Sequence, residues 1–238
     1  MSGTSISKKR EVTLAEPPTE RLFFSTQRFL NPPSVSCFDG AELRRIFDTL
    51  LRAIRHHDVN TFRSVLFSSI ESSTTSSCNS YGIKKCSSSR TLLLVNSRDS
   101  TGLTLVHHVV CQRPYPNTAI LDALHSAGSD VGLFSTLGFS PLHHLSRTAK
   151  DDAKGTGSDG EQGPRSSLNP CTHPLYTFTI HLVRTLRAPL RATDSKGETP
   201  LHAAAEHGHS FPVLLAMLDC DREFSGKAAA REMRNERG

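Results

Sequence analysis

The sequence has no tryptophan, three tyrosines and three methionines, and aromatic residues make up only 6% of its 238 positions. Its apolar fraction is 36% and its mean hydropathy −0.33. That is thin for a single globule of this length, so part of the chain is expected to lie outside any core. Long hydrophobic runs are missing as well. Stretches such as Leu92-Leu93-Leu94-Val95 fall far short of the ~20 residues a membrane helix needs. The N-terminus, MSGTSISKKR, has no apolar segment behind its charges and does not read as a secretory signal. Ser2 stands where N-myristoylation requires glycine. The expectation is an intracellular chain, cytoplasmic or nuclear, with no membrane insertion.

Charge of one sign is also lacking: 28 Lys+Arg face 23 Asp+Glu, a net +5. That mixture does not by itself mark a nucleic-acid binder. The six cysteines, Cys37, Cys78, Cys86, Cys111, Cys171 and Cys220, form no Cys-x-x-Cys and are irregularly spaced. Without an export signal they are expected to stay reduced. Catalytic signatures are absent too: no Gly-x-Ser-x-Gly elbow, no phosphate loop ending in Gly-Lys-Ser/Thr, no His-Glu-x-x-His. Histidine is abundant, with 12 copies, and His107-His108-x-x-Cys111, Cys171-x-His173 and His207-Gly-His209 could be read as ligand pairs. None joins a set of four Cys/His at structural zinc spacing. No catalytic residue, metal, cofactor or small-molecule substrate is therefore expected.

Three polar stretches account for the low apolar content. Residues 1–38 mix Ser, Thr, Pro and charge. Residues 68–90 are Ser-rich, with ten serines in the 22 positions from 68 to 89. Residues 149–173 combine Gly, Asp, Ser and Pro. None shows a helix or strand period that could offset its ordering entropy. The Ser-rich segment is either a solvated spacer or, with Lys84, Lys85 and Arg90 beside its serines, a phosphorylation platform.

Between these stretches a pattern recurs. Gly102-Leu-Thr104-Leu105-Val106-His107, Gly138-Phe-Ser140-Pro141-Leu142-His143 and Gly197-Glu-Thr199-Pro200-Leu201-His202 share Gly-x-(Thr/Ser)-x-(Leu/Val)-His. The first two are 36 residues apart; the last two are 59 apart, and the surplus over a 33-residue period matches the polar stretch 149–173. Thr or Ser is a natural helix N-cap, and proline fits the first helical position, where no N–H is needed. The third copy continues Ala203-Ala204-Ala205, with Gly208 as a left-handed helix terminator. Val213, Leu214, Met217 and Leu218 then fall at helical spacing, as do Ile120, Leu121 and Leu124, and Phe178, Ile180, Leu182, Val183 and Leu186. Upstream, Asp39 and Glu42 form a capping-box pattern. Leu43, Ile46, Phe47, Leu50, Leu51 and Ile54 follow on one helical face. Asp58 then caps a second helix carrying Phe62, Val65 and Leu66.

The (Ser/Thr)-Pro-Leu-His segments at 140–143 and 199–202, the alanine run and Ala127-Gly128-Ser129-Asp130-Val131 resemble the ankyrin repeat family. The resemblance implies an all-α solenoid of helix-turn-helix pairs joined by hairpin loops, spanning 39–222. Its units would lie near 39–67, 96–131, 132–190 with the insertion 149–173, and 191–222, followed by a polar C-terminal tail 223–238 with some helix propensity. It implies that His107, His143 and His202 are structural, each ring bonding its Thr/Ser cap and the adjacent turn. It also implies a protein partner docking on hairpin tips: Ser97, Arg98, Ser100 and Thr101; Phe134, Ser135, Thr136 and Leu137; Thr193, Ser195, Lys196 and Glu198. Leu133, Phe134 and Leu137 are either an exposed apolar patch or partly turned inward. The function expected is a non-catalytic interaction module, an adaptor or scaffold. The alternatives are the repeat portion of a larger enzyme or transport-related protein, and a weak nucleic-acid binder.

Overall fold

The amphipathic spacing of 43–54 folds as expected into helix α1, Ala41–Arg55, which buries Phe47, Leu50, Leu51, Ala53 and Ile54. The computed structural model describes residues 41–71, 89–150, 169–207, 210–224 and 229–236. Among them all regular structure is helical, with one isolated antiparallel bridge between Arg98 and Thr104 and no strand. Helix α2 (Val59–Glu71) follows a tight turn, and Asp58 Oδ1 accepts from Thr61 N at 3.0 Å. Asp39 and Gly208, given capping roles from sequence, lie outside the described residues. Then come α3 (Ser89–Asn96), α4 (Leu105–Val110), α5 (Thr118–Ser126), α6 (Pro141–Thr148), α7 (Pro174–Ile180), α8 (Pro200–His207) and α9 (Phe211–Phe224). Helix α7 runs on into a wider π turn, His181–Thr185. No described helix is long and apolar enough to cross a membrane.

The helices pack in two rows. In the first, α1 contacts α4, α4 contacts α6 and α6 contacts α8. In the second, α2 packs on α5 and α7 on α9, while His181, just past α7, reaches Asp122 of α5 at 2.6 Å. Leu105, Leu121, Leu142, Phe178 and Met217 are among the side chains that fill the space between the rows. Short helices with small inner residues suit this arrangement: Ala203 and Ala204 of α8 are both buried. Within the polar stretch 149–173, Ala149 is buried, and Asn169 and His173 cap the turn Pro170–Thr172 and helix α7. Helix α3 has no counterpart in the sequence reading. Its Asn96 is fully buried, donating to Gly128 O (3.1 Å) and accepting from Asp130 N (2.7 Å).

What ties neighbouring units together is a repeated histidine geometry. In α4, α6 and α8 the cap residue's backbone N–H donates to the Nδ1 of the histidine three residues on, at 3.2, 3.3 and 3.2 Å for Thr104–His107, Ser140–His143 and Thr199–His202. The hydroxyl oxygens lie 2.8–2.9 Å from the same nitrogens. With Nδ1 accepting, the proton must sit on Nε2. His107 Nε2 then donates to Phe139 O at 3.0 Å, and His143 Nε2 to Glu198 O at 2.8 Å. Each acceptor is the residue just before the next cap. The family resemblance implies a bond from each ring to its Thr/Ser cap and to the adjacent turn; for His107 and His143 the second bond runs to the turn of the next unit.

Both rings are fully buried, at 0% exposure. Burial depresses their basicity, driving His107 to about 3 and moving His143 in the same direction. Truncating such a ring orphans a buried carbonyl and an N–H, each worth ~1–3 kcal/mol. His143→Ala should therefore cost roughly 3 kcal/mol in urea denaturation. A loss below ~1 kcal/mol would rule out the linking role. The pH dependence follows from the same shift. The unfolded chain protonates His107 near 6.5, but the folded chain does not until about 3. Stability is complete above pH ~6.5 and declines as pH falls toward 3, by up to ~1.4 kcal/mol per pH unit for this ring. The urea midpoint should thus drop between pH 7 and 5, and a flat profile would contradict it.

Candidate functional site: the hairpin tips

Three turns precede α4, α6 and α8, and they are built alike. Asp99, Ser135 and Asp194 each donate a backbone N–H to the carbonyl four residues on (Leu103, Phe139, Glu198) at 2.9, 2.8 and 2.9 Å. Gly102, Gly138 and Gly197 close the turns by donating back to those residues' carbonyls at 3.0, 3.0 and 3.1 Å. Their φ values are +80°, +77° and +70°, a region glycine enters without penalty. The first residue's side chain ties the turn from within. Asp99 Oδ1 accepts from Thr101 N and Leu103 N, and Asp194 Oδ1 from Lys196 N and Glu198 N. Ser135 Oγ accepts from Phe139 N more weakly, at 3.3 Å. The spacing (Asp/Ser)-x-x-Gly is plain in the sequence once the glycines are aligned, and it was the signal available for these three residues.

Adjacent turns are also joined edge to edge. Thr136 N donates to Gly102 O at 3.1 Å, and Arg98 Nε and Nη2 both donate to Phe134 O, at 3.1 and 2.6 Å. The second and third turns enclose an open depression of about 430 Å³ lined by Arg98, Phe134, Ser135, Thr136, Gly138, Thr193, Asp194 and Ser195. Six residues expected from sequence at the tips, Arg98, Phe134, Ser135, Thr136, Thr193 and Ser195, meet there. Ser100, Thr101 and Lys196 are exposed outside it. Leu137 stands at the rim, 65% exposed.

Three of the expected tip residues do not reach the surface: Ser135 is 3% exposed, its hydroxyl turned to Phe139 N and His144. Ser97 is fully buried, its hydroxyl donating to Leu93 O at 2.5 Å. Glu198 is 2% exposed because its carboxylate turns back to Arg147 of α6. Of the apolar trio, Leu133 is buried and Phe134 half-buried, so the exposed patch narrows to Leu137.

Behind the turns a second layer of side chains comes from the first-row helices. His108 Nε2 meets Asp99 Oδ2 at 2.8 Å, and His144 Nε2 meets Ser135 Oγ at 3.3 Å. Burial works against the Asp99 charge, but hydrogen bonds from Thr101, Leu103 and His108 outweigh it and hold the carboxyl below its ordinary pKa. Burial lowers His144 to about 4, helped by the charges of His143 and Arg147. Arg147 covers the Phe139 ring at 4.3 Å while pairing with Glu198 (3.3 Å) and Asp194 (3.8 Å). It therefore neutralises two buried carboxylates of the third turn. Sequence reading missed Arg147, because nothing in its local context shows that two acids converge on it.

No group of three or more His, Cys, Asp or Glu able to hold a metal occurs among the described residues. Cys111, Cys171 and Cys220 are free thiols, and burial raises Cys220 to about 11 and also raises Cys111. No family model matches the chain, and no curated protein matches it.

The turns differ in how closely they are crossed. A methyl added at Gly102 would run into the Thr136 side chain, whereas at Gly138 the nearest heavy atom is Ser195 N at 3.9 Å. Both carry the left-handed penalty of ~1–2 kcal/mol. Gly138→Ala should cost about that much, and Gly102→Ala at least ~1 kcal/mol more. Equal losses in chemical denaturation would mean the first two turns do not approach as described.

Proposed function

We propose that this chain is an ankyrin-type repeat module, a stack of hairpin–helix-pair units, acting as a non-catalytic adaptor or scaffold for a protein partner. The partner docks on the hairpin tips and the adjoining first-row helices. The observation that carries this reading is the common build of the three turns. They are hydrogen-bonded internally, two of them are joined edge to edge, and they open a depression beside an exposed leucine. Such a surface is stiff, so a partner's loop does not have to order it on binding. Its mix of hydroxyls, the apolar Phe134 and Leu137 and nearby Arg98 and Lys196 suits a polypeptide surface better than a hydrophobic ligand.

The test is affinity purification from cells with two tip variants, Leu137→Glu and Ser195→Glu, beside His125→Glu on the outward part of α5. All three positions are exposed, so each change should leave stability within ~0.5 kcal/mol. Recovery of the wild-type chain's principal partner should fall at least tenfold for the two tip variants and not for His125→Glu. Equal recovery by all three would refute docking at the tips.

A further inference from the structure

The joint between the first and second turns uses two main-chain groups of the second. Thr136 N donates to Gly102 O at 3.1 Å, and Phe134 O accepts from Arg98 Nε and Nη2 at 3.1 and 2.6 Å. These groups flank Ser135, whose own N–H and C=O are spent inside the turn on Phe139 O and Gly138 N. One edge of this arm thus closes its turn, and the other faces the neighbouring turn.

The third turn repeats the arm but not the joint. Asp194 spends its N–H and C=O inside the turn, on Glu198 O and Gly197 N. The flanking groups are Ser195 N–H and Thr193 O, and among the described residues neither has a hydrogen-bond partner. Gly138 O, the counterpart of Gly102 O, receives no N–H either. The arm nevertheless faces the second turn. Thr193 and Ser195 line the depression opposite Ser135 and Thr136, and Ser195 N lies 3.9 Å from where a Gly138 Cβ would stand. The sequence explains half of the difference. Phe134 holds the place in the second turn that Arg98 holds in the first, directly before the residue that ties the turn. A phenyl ring has nothing to donate to Thr193 O, so the joint that an arginine closes one unit earlier is open here.

The open pair has the spacing of a parallel β-bridge. A carbonyl just before a residue and an N–H just after it together engage one residue of a parallel neighbour, which donates to the first and accepts from the second. Charge favours a neutral occupant of this kind. Arg98 stands at one side of the depression, and at the other stands Asp194, whose Oδ2 meets only Arg147, at 3.8 Å. A charged group would gain at one wall and lose at the other. Leu137, 65% exposed at the rim, offers an apolar contact to a neighbouring side chain of the same segment.

We propose that the depression holds a partner segment by its main chain. An extended stretch of polypeptide lies along residues 193–195, and one of its residues donates its N–H to Thr193 O and accepts at its C=O from Ser195 N. This rests on partner docking at the tips and adds how the partner is held.

Ser195 is the second residue of a turn closed by Gly197 N donating to Asp194 O at 3.1 Å, a position that favours proline. Ser195→Pro therefore removes the N–H and keeps the turn, whereas Ser195→Ala removes the hydroxyl and keeps the N–H. The probe is a pool of short random linear peptides displayed on phage, selected on the full chain and counter-selected on Leu137→Glu. The strongest binder is then synthesised. Its affinity should fall about fivefold or more for Ser195→Pro, the loss of one net hydrogen bond, and stay within about twofold for Ser195→Ala. Methylating the main-chain nitrogen of one residue of the peptide should weaken binding to the unaltered chain by a similar factor. In the saturated complex the Ser195 amide should exchange with solvent more slowly by NMR. These last two readings do not depend on how the proline variant folds. Full affinity of Ser195→Pro, an equal loss for Ser195→Ala, or no selected peptide that protects the Ser195 amide would each overturn the pairing. So would binders that tolerate N-methylation at every position and follow net charge alone. If any of these occurs while Leu137→Glu and Ser195→Glu still lose the cellular partner, docking at the tips stands and main-chain pairing falls.

Discussion

A buried imidazole with one nitrogen accepting inside its own helix cap and the other donating to the neighbouring turn sets the spacing between units. Both bonds are short and both groups are out of water, so neither can be exchanged for a bond to solvent without moving a whole turn. The tautomer is not free: the cap N–H claims Nδ1, and Nε2 must then point outward to the next unit. Burial that would be a liability for a charged ring becomes the means of keeping it neutral. The same arrangement makes the stack sensitive to acid, because protonation requires Nδ1 to give up the cap.

The rest of the molecule is arranged around that spacing. The turns lie side by side because consecutive caps are held at a set distance, and Thr136 and Arg98 then lace the first turn to the second. The third turn, further along the chain because of the 149–173 stretch, is held by Arg147 instead. A guanidinium lying on Phe139 and facing two buried carboxylates is costly to desolvate, and it is kept in place by the convergence of both acids. The depression at the tips follows from these cross-links: it lies where the second and third turns part.

Much of this was legible beforehand. The Gly-x-(Thr/Ser)-x-(Leu/Val)-His pattern places three caps and three turn glycines, and the i, i+3, i+4 spacing of 43–54 marks α1. What was legible was local: a cap, a glycine with positive φ, an apolar face. Ser97, Ser135 and Glu198 read as surface residues in sequence but are buried, because a polar side chain in a turn looks the same in sequence whether it faces water or folds back onto the structure behind it. Helix α3 escaped notice because it is short and adjoins the serine-rich stretch, so its apolar residues carry no clear period. Arg147, Asn96 and the Arg98–Phe134 contact pair residues 32 to 51 positions apart, and no spacing rule reaches that far.

The sequence by itself determined which residues cap, turn and fill the helices, since those choices depend on neighbours within four positions. The tertiary structure alone decided which histidine nitrogen reaches which carbonyl, which tip residues meet water and which acids share Arg147. Each of these depends on how closely one unit approaches the next, and that distance is set by packing between side chains that the sequence keeps far apart.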